Sequence, residues 1–220
     1  EGVSRHFTVI DAPQRSEQWF AARCGRVTGS VAKVLYTEGR KKGEPSVQRR
    51  DLCIRLACEA ITGLPLDEDF VKPAHMERGI EREPAAFSAF EAATGLLAHT
   101  SGFLSHDTEM AGCSLDGHVG DFEAILEVKC PKTFTHLKYL RAGVAPPDYE
   151  AQIVHNLWMS GAACCYFVSF DDRLPADLAL FIVKVERNEA AITEHARRVT
   201  DFLRDVNTEK QAIEDLRKGR

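Results

Sequence analysis

The sequence predicts a mixed α/β (α+β) fold with a central mixed sheet flanked by helices, and two observations lead to this expectation. Helical periodicity dominates the first half of the chain. Strand-like apolar runs appear in the second half, at residues 95–106, 112–119, 122–130, 164–170 and 178–186. A chain of 220 residues, 44% of them hydrophobic, suits one domain, 1–220, with a core over about 16–187 and a C-terminal helix over about 188–217.

The helices are located by their start and stop signals. They are expected at residues 16–25, 29–39, 46–63, 72–95, 135–143, 148–161 and 188–206. Ser16 is a cap residue before the first helix, and Gly25 ends it. Pro84 is expected to bend the helix over 72–95, because proline disfavours helical geometry at the preceding residue. The last helix carries one apolar stripe, made of Ile192, Val199, Phe202 and Val206.

The charge balance speaks against a protein that coats nucleic acid, because the formal net charge is −5. It leaves open a protein whose basic residues line one channel, since local charge is what faces phosphate. Basic residues do cluster in the Gly-rich loop over 37–46, at Arg40, Lys41 and Lys42, and again at Arg49 and Arg50. A solvated loop and helix surface is the alternative explanation for them.

Three features bear on the compartment. No run approaches the ~20 apolar residues that a membrane span requires. The first 13 residues lack a charged-then-apolar signal pattern, so a cytoplasmic location is the expectation. Seven cysteines without a C-x-x-C pair favour buried, reduced thiols over a structural zinc site.

The segment "CSLDGHVGDFEAILEVKCP", residues 113–131, places charged side chains in a run that otherwise has the composition of a buried strand. Gly120-Asp121 has the form of a two-residue type II′ hairpin loop. That loop would pair residue 119 with 122, 116 with 125, and 114 with 127.

Alternation along this strand then sorts its side chains into two faces. Leu126, Val128 and Cys130 form an apolar face. The other face carries a polar group together with Ile125, namely Ser114, Asp116, Glu127 and Lys129. Asp116 is expected as a diagonal neighbour of Glu127, close enough for one cation to bridge the two carboxylates.

Facing carboxylates repel each other unless a positive charge lies between them, and Mg²⁺ prefers such oxygen ligands. Lys129 adds a donor that can hold an attacking water or stabilise charge in a transition state. Together these groups have the chemistry of phosphodiester hydrolysis. A Glu–Lys–Asp cluster that is merely paired internally at a sheet end explains the bare pattern equally well.

A further acid lies on an apolar helix stripe. Glu83 shares one helix face with Ile80, Phe87 and Phe90, whereas Glu77 and Glu81 point elsewhere. Because burial of an unpaired charge is costly, Glu83 is expected to have a partner.

Five segments in this order resemble the lambda-exonuclease family of phage-type recombination nucleases: "EQWFAARCGRVTGS", "RGIEREPAAF", "CSLDG", "LEVKCP" and "YEAQIVHNLW". The resemblance runs from about Trp19 to Trp158. That family belongs to the PD-(D/E)xK nuclease superfamily, so the resemblance implies a core like that of restriction endonucleases.

The resemblance also implies roles for individual residues. The metal ligands would be Asp116, Glu127, the backbone carbonyl of Val128 and, approaching from its helix, Glu83. Lys129 matches the catalytic lysine, so the implied catalytic set is Asp116, Glu127, Lys129 and Glu83. Two Mg²⁺ ions are the implied cofactor, with Mn²⁺ as a substitute.

A small pocket for a terminal 5′-phosphate is implied as well, formed by Arg23, Ser30, Ser114 and Gln152. A guanidinium fork with two hydroxyls and an amide is suitable chemistry for a phosphate.

The chain departs from the family pattern in two places. The family often has Gln-x-Gln after the catalytic strand, whereas this chain has Gln152-Ile153-Val154. The loop over 37–46 matches poorly, so DNA contacts by Arg40, Lys41 and Lys42 rest on charge alone. His75 is a further candidate for contact with DNA. His155 is expected as a packed or surface histidine, and Trp19 and Trp158 as core anchors.

The implied function is a Mg²⁺-dependent exonuclease that degrades linear double-stranded DNA from a 5′ end. It would release mononucleotides and leave a 3′ overhang, act as a homotrimeric ring, and hand the strand to a single-strand annealing protein. Two rivals remain: a PD-(D/E)xK endonuclease or junction resolvase, and a catalytically inactive protein that binds DNA ends.

Overall fold

The strands form two sheets. A computed structural model describes residues 5–41, 43–66 and 74–218, without the side chains of residues 74–78, 80 and 218. The strands of this part are β1 (Phe7–Ile10), β2 (Val27–Thr28), β3 (Ala98–His99), β4 (Phe103–His106), β5 (Ala111–Cys113), β6 (Gly117–Val119), β7 (Ala124–Lys129), β8 (Cys164–Phe170) and β9 (Leu180–Glu186).

The helices agree with the predicted segments except in one case. They are α1 (Glu17–Arg23), α2 (Val47–Thr62), α3 (Ala74–Thr94), α4 (Thr133–Ala142), α5 (Glu150–Ser160) and α6 (Glu189–Lys218). The second predicted helix is a 3-10 helix, Gly29–Tyr36, and a shorter 3-10 helix, Pro147–Tyr149, precedes α5. Pro84 lies inside α3. None of the helices in the described ranges is long and apolar enough to cross a membrane.

The predicted central mixed sheet is confirmed, with the strand order β3-β6-β7-β8-β9. Strand β7 pairs antiparallel with β6 and parallel with β8, and α4 and α5 form the crossover between those two parallel strands. A second sheet, with the order β1-β4-β5-β2, includes the short strand β1, which the sequence patterns did not predict.

Local signals explain where the site-bearing helices begin and end. The Ser16 hydroxyl accepts a hydrogen bond from the Trp19 amide at 3.2 Å and caps α1. Gly161 ends α5 with φ at 72°, a left-handed conformation that glycine adopts without steric cost. These signals fix one end of α1, which carries Trp19 and Arg23, and one end of α5, which carries Gln152 and Asn156.

Strand β7 lies between two apolar clusters. Leu126 and Val128 pack with Phe90 of α3 on one side, whereas Ile125 joins the larger cluster on the other. All four residues of the predicted stripe on α6 are buried in that larger cluster, and α6 packs along α2 and α5. All seven cysteines are free thiols, of which Cys113, Cys164 and Cys165 are buried.

A chain of buried hydrogen bonds joins α6, α5 and β5. Tyr36 Oη lies 2.8 Å from His195 Nδ1, and His195 Nε2 lies 2.9 Å from His155 Nδ1. His155 Nε2 donates to the Gly112 carbonyl at 3.0 Å, so His155 Nδ1 is unprotonated and accepts from His195 Nε2. His195 Nδ1 is then unprotonated as well and accepts from the Tyr36 hydroxyl. The expectation of a packed His155 is confirmed, since its side chain is fully buried.

Burial of these two histidines leads us to expect that the unfolding free energy of the protein falls in mild acid. Burial lowers the pKa of His155 to about 4 and that of His195 to about 3, below the ~6.5 of an unfolded histidine. The unfolded chain therefore takes up protons first, and the stability present above pH ~6.5 is lost as the pH falls toward those values. Each histidine should account for roughly 1–2 kcal/mol of unfolding free energy between pH 7 and 5.

The measurement is a residue-specific NMR titration of the histidine Cε1–H signals. A measurement of the total unfolding free energy would also include the contribution of Glu127. Burial raises the pKa of Glu127, so its protonation stabilises the folded state as the pH falls, opposite to the histidines. Titration of both rings near pH 6.5 would contradict the expectation.

Candidate active site

Strand β7 presents its charged residues on the face that the sequence predicted. Leu126 and Val128 point into the α3 cluster, and Cys130 packs against it. Glu127 points the other way and meets α5. The apolar face anchors the strand while the polar face is left for chemistry.

The predicted hairpin register is wrong by two residues. Val119 pairs with Ala124, which leaves a four-residue loop over 120–123. Phe122 has φ at 64° and stacks on His118 with ring centroids 4.2 Å apart, so packing holds it outside the strand. Because a shift by two preserves alternation, Asp116 keeps its predicted face, and the register continued by one pair places it opposite Glu127 rather than diagonal to it.

Asp116 is held at the end of β6 by the neighbouring strand. Its Oδ2 accepts a hydrogen bond of 2.7 Å from the Val128 amide. Lys129 Nζ lies 3.6 Å from the same oxygen and also contacts Glu127 Oε1. The ammonium thus lies between the two carboxylates, and it donates to the Val128 carbonyl at 3.2 Å.

Glu127 is a buried carboxylate, only 1% exposed, with two amides on it from α5. Gln152 Nε2 donates to Oε1 at 2.7 Å, and Asn156 Nδ2 donates to Oε2 at 3.4 Å. Asn156 is a functional candidate that the sequence patterns did not single out. Its signal was its spacing, because a residue four positions after Gln152 lies on the same helix face.

Glu127 and Lys129 shift each other's pKa values, and Asp116 acts on both, because their charges lie close together. Burial raises the pKa of Glu127 to about 7; Lys129 opposes that rise and Asp116 adds to it. Burial also acts to lower the pKa of Lys129, but Glu127 and Asp116 outweigh it, so the net shift is upward. Lys129 is therefore held as an ammonium ion.

Glu83 approaches this group from α3. It lines the same groove as Asp116, and burial followed by the charge of Asp116 raises its pKa. Arg15 and Lys129 act on Glu83 with positive charge, but burial and the charge of Asp116 outweigh them.

Three of the four residues predicted to bind phosphate come together beside the carboxylates. Arg23 Nη1 lies 3.4 Å from Ser114 Oγ, and Arg23 Nη2 lies 3.4 Å from Ser30 Oγ. Thr28, a further member that the sequence did not indicate, contacts Ser30 at 3.1 Å. Arg23, Thr28 and Ser30 line a cavity of about 390 Å³, and Ser114, which contacts Arg23, lies two residues before Asp116.

Two expectations about this cavity need correction. Trp19 is not simply a core anchor, because it lines the cavity and its indole N–H donates to Ser114 Oγ at 2.8 Å. The Arg23 guanidinium lies over the Trp19 ring, with its Cζ 4.2 Å from the ring centroid. Gln152 uses its amide on Glu127 instead of on the Arg23 group. Trp158 stacks on His106 and packs against the larger core cluster, as expected of an anchor.

Of the remaining candidates for DNA contact, two lie exposed on the surface, and the side chains of the other two lie outside the described residues. Arg40 and Lys41 are exposed, and Lys41 pairs with Glu44 at 3.7 Å. Lys42 and the side chain of His75 lie outside the described residues.

The donor set fits a hard cation in kind. Asp116, Glu127, Glu83 and the Val128 carbonyl offer oxygen only, and Mg²⁺ binds through one or two carboxylates while keeping several waters. In the described part of the chain, no three His, Cys, Asp or Glu side chains form a ready cluster for a metal. Lys129 occupies the space between the carboxylates, so its ammonium stands where a cation would otherwise balance their charge.

The mixed sheet, with Glu127 and Lys129 on its central strand β7 and Asp116 just before β6, has the form of a nuclease core of the PD-(D/E)xK type. The chain belongs to the family of the YqaJ-like viral recombinase domain, whose model matches residues 18–163. This family membership confirms the predicted relationship to recombination nucleases. Comparison with curated protein sequences gave no significant match.

Solved structures agree with this assignment. The alkaline exonuclease LHK-Exo from Laribacter hongkongensis, alone and in complex with dAMP, is 33% identical, with a TM-score of 0.82 over 93% of this chain and 99% of that one. A phage-related exonuclease from Haemophilus somnus 129PT shares the fold, with a TM-score of 0.65 at 16% identity over 87% of this chain and 96% of the other.

The placement of Gln152 yields a prediction. Gln152→Ala should slow hydrolysis about 10-fold on 5′-phosphorylated and 5′-hydroxyl ends alike, since it removes one hydrogen bond to a charged group, Glu127. Single-turnover hydrolysis of both substrates measures the effect.

Met159→Leu on the same helix is the matched control, because it changes buried shape and no polar contact. A loss confined to phosphorylated ends would instead assign Gln152 to the phosphate pocket.

Proposed function

We propose that this nuclease is a Mg²⁺-dependent 5′-to-3′ exonuclease that acts on linear double-stranded DNA. It releases mononucleotides and leaves a 3′ single-stranded overhang for recombination by strand annealing. The observation that carries the proposal is the cavity around Arg23, whose guanidinium contacts Ser114, two residues before Asp116 of the hydrolytic group (Asp116, Glu127, Lys129 and Glu83). An enzyme that cuts inside a strand has no use for a phosphate pocket beside its cleavage site.

The cavity has the donors that a terminal phosphate requires. The Arg23 guanidinium offers a planar fork, which suits the two oxygens of a phosphate. The hydroxyls of Ser30, Ser114 and Thr28 lie within 3.5 Å of it. A phosphate bound there would replace these weak contacts by stronger bonds to an anion, and the ring of Trp19 supports the guanidinium from one side.

Cleavage would take place at the neighbouring carboxylates. Mg²⁺ held by Asp116, Glu127, the Val128 carbonyl and Glu83 would acidify a water and offset charge on the phosphate; two ions are proposed, with Mn²⁺ as a substitute. Gln152 and Asn156 orient the Glu127 carboxylate for this task. Lys129, kept protonated, orients the attacking water and donates to the oxygen that gains charge.

The product class supports the same assignment. LHK-Exo, 33% identical to this chain, has been solved in complex with dAMP, a deoxynucleoside monophosphate. A terminal phosphate in the Arg23 cavity and cleavage one phosphate further along would release a molecule of that class.

The proposal extends to assembly and partners. A homotrimeric ring around the duplex would place basic residues in a channel, which reconciles DNA binding with a net charge of −5. Arg40, Lys41, Lys42 and His75 are the candidates for DNA contacts. A single-strand annealing protein would receive the exposed strand, in the cytoplasm of a bacterial host.

The hydrolytic group yields a prediction that separates catalysis from binding. Asp116→Asn and Lys129→Ala should each reduce hydrolysis by roughly 10²–10³-fold, because the first removes a charged ligand of the proposed metal ion and the second removes positive charge aimed at the reacting phosphate. Affinity for DNA ends, measured by fluorescence anisotropy in Ca²⁺, should stay within about 3-fold, a difference below 1 kcal/mol.

Lys138→Ala, which removes an exposed lysine from α4, serves as the control for loss of one positive charge. Unchanged turnover in either site variant would remove the assignment of this group. End binding without hydrolysis in the wild-type protein would favour the rival of an inactive end-binding protein.

The cavity yields a prediction on end chemistry. The wild-type protein should degrade 5′-phosphorylated linear duplex faster than 5′-hydroxyl duplex and leave closed circular DNA intact. Arg23→Ala should abolish the preference for the phosphorylated end, about 10-fold or more, because it removes a charged donor to the phosphate.

Release of acid-soluble nucleotides, with and without chelation of Mg²⁺, measures these rates. Efficient cleavage of closed circular DNA would contradict the exonuclease assignment and favour an endonuclease or resolvase. An equal loss on both kinds of end in Arg23→Ala would make that residue structural.

A further inference from the structure

A second depression lies against the hydrolytic group. This groove, of about 570 Å³, is lined by Asp116 and Glu83 and by residues 11–15 and 100–102. Within the described part of the chain it shares no lining residue with the Arg23 cavity. The two depressions are linked through residues 114–116, since Ser114 contacts Arg23 and Asp116 borders the groove.

A tight turn fixes one wall of this groove. The Ser16 amide donates to the Pro13 carbonyl at 3.0 Å and closes a turn with Arg15 in its third position. Gln14 Nε2 donates to the Leu115 carbonyl at 3.1 Å, which fastens the turn to the residue before Asp116. The turn is therefore held at a fixed place relative to the carboxylates.

Arg15 is an unusual residue for its position. Its φ is 71°, a conformation that glycine or asparagine adopts in such turns and that strains other residues. Strained backbone of this kind clusters at functional sites. The side chain is exposed, and with the residues that the structure describes it makes no ion pair or hydrogen bond.

Arg15 is also placed to act on the hydrolytic group. Among the described residues that line the groove, Arg15 is the one cation, beside the carboxylates of Asp11, Glu83 and Asp116, and its charge acts on Glu83, although burial and Asp116 outweigh it. Arg15 lies two residues before α1, and Arg23 is the last residue of this helix, which has seven residues and is roughly 10 Å long. Contacts at both ends reach the two residues before Asp116, through Gln14–Leu115 at one end and Arg23–Ser114 at the other.

We propose that Arg15 binds the phosphate that follows the scissile phosphate in the hydrolysed strand. The proposal rests on the exonuclease function: the terminal phosphate lies at Arg23, the scissile phosphate at the carboxylates, and the next phosphate in the groove. A contact of this kind is independent of base sequence, as degradation of any DNA end requires. The guanidinium fork suits a phosphate oxygen pair.

The first test removes the guanidinium without straining the fold. Arg15→Gly should raise KM for 5′-phosphorylated duplex about 10-fold, the loss of one hydrogen bond to a charged group, with kcat little changed. Its thermal unfolding midpoint should equal or exceed that of the wild type, since glycine adopts φ of 71° freely. Arg217→Ala, which removes an exposed arginine from the end of α6, should change neither quantity.

The second test locates the phosphate. A neutral methylphosphonate at the third phosphate from the 5′ end should raise the wild-type KM by the same factor of about 10. In Arg15→Gly the same substitution should have no further effect, because the contact is already lost. A methylphosphonate at the fourth phosphate should affect both proteins equally.

The outcomes separate the two proposals. If the wild type does not degrade phosphorylated linear duplex, the exonuclease function itself fails. If the wild type degrades it but Arg15→Gly has an unchanged KM, or responds to the third-position methylphosphonate as the wild type does, only the role of Arg15 is overturned. A lowered unfolding midpoint together with loss of kcat would assign Arg15 a structural role.

Discussion

The structure around the site depends on one buried carboxylate. Glu127 lies in the middle of the central sheet and is almost fully shielded from solvent. The effective cost of burying an ion is several kcal/mol unless charge and hydrogen bonds compensate it. Lys129, Gln152 and Asn156 supply that compensation. Each of the surrounding elements is therefore constrained to deliver a particular polar atom to a particular oxygen.

That constraint explains why α5 and α3 each combine apolar packing with one or two polar side chains directed at the site. Helix α5 buries Ile153 and Leu157 in the larger core cluster and turns its two amides toward Glu127. Helix α3 packs Phe90 against the opposite face of β7 and brings Glu83 to the edge of the same group. A hydrolytic site of this kind needs a rigid support, and here the support consists of apolar packing on both faces of one sheet.

The short helix α1 has a different kind of support. It buries none of its residues and is held through side chains instead: Trp19 and Arg23 on Ser114, and, just before the helix, Gln14 on the Leu115 carbonyl. All three contacts reach the segment that leads to Asp116. The Arg23 cavity and the groove are thereby placed relative to the carboxylates by polar bonds.

The sequence by itself determined the order of the helices and of the strands in the central sheet, the two faces of β7 and the grouping of Asp116, Glu127 and Lys129, because these follow from alternation and local signals. Tertiary structure decided what depends on residues far apart in the chain. The hairpin register was set by the packing of Phe122 on His118, and the 3-10 form of residues 29–36 lies against α5. The Gln152 amide donates to Glu127, and Trp19 lines the Arg23 cavity and donates to Ser114. Sequence patterns did not predict these contacts, because buried charge and shared hydrogen-bond partners are properties of the packed molecule.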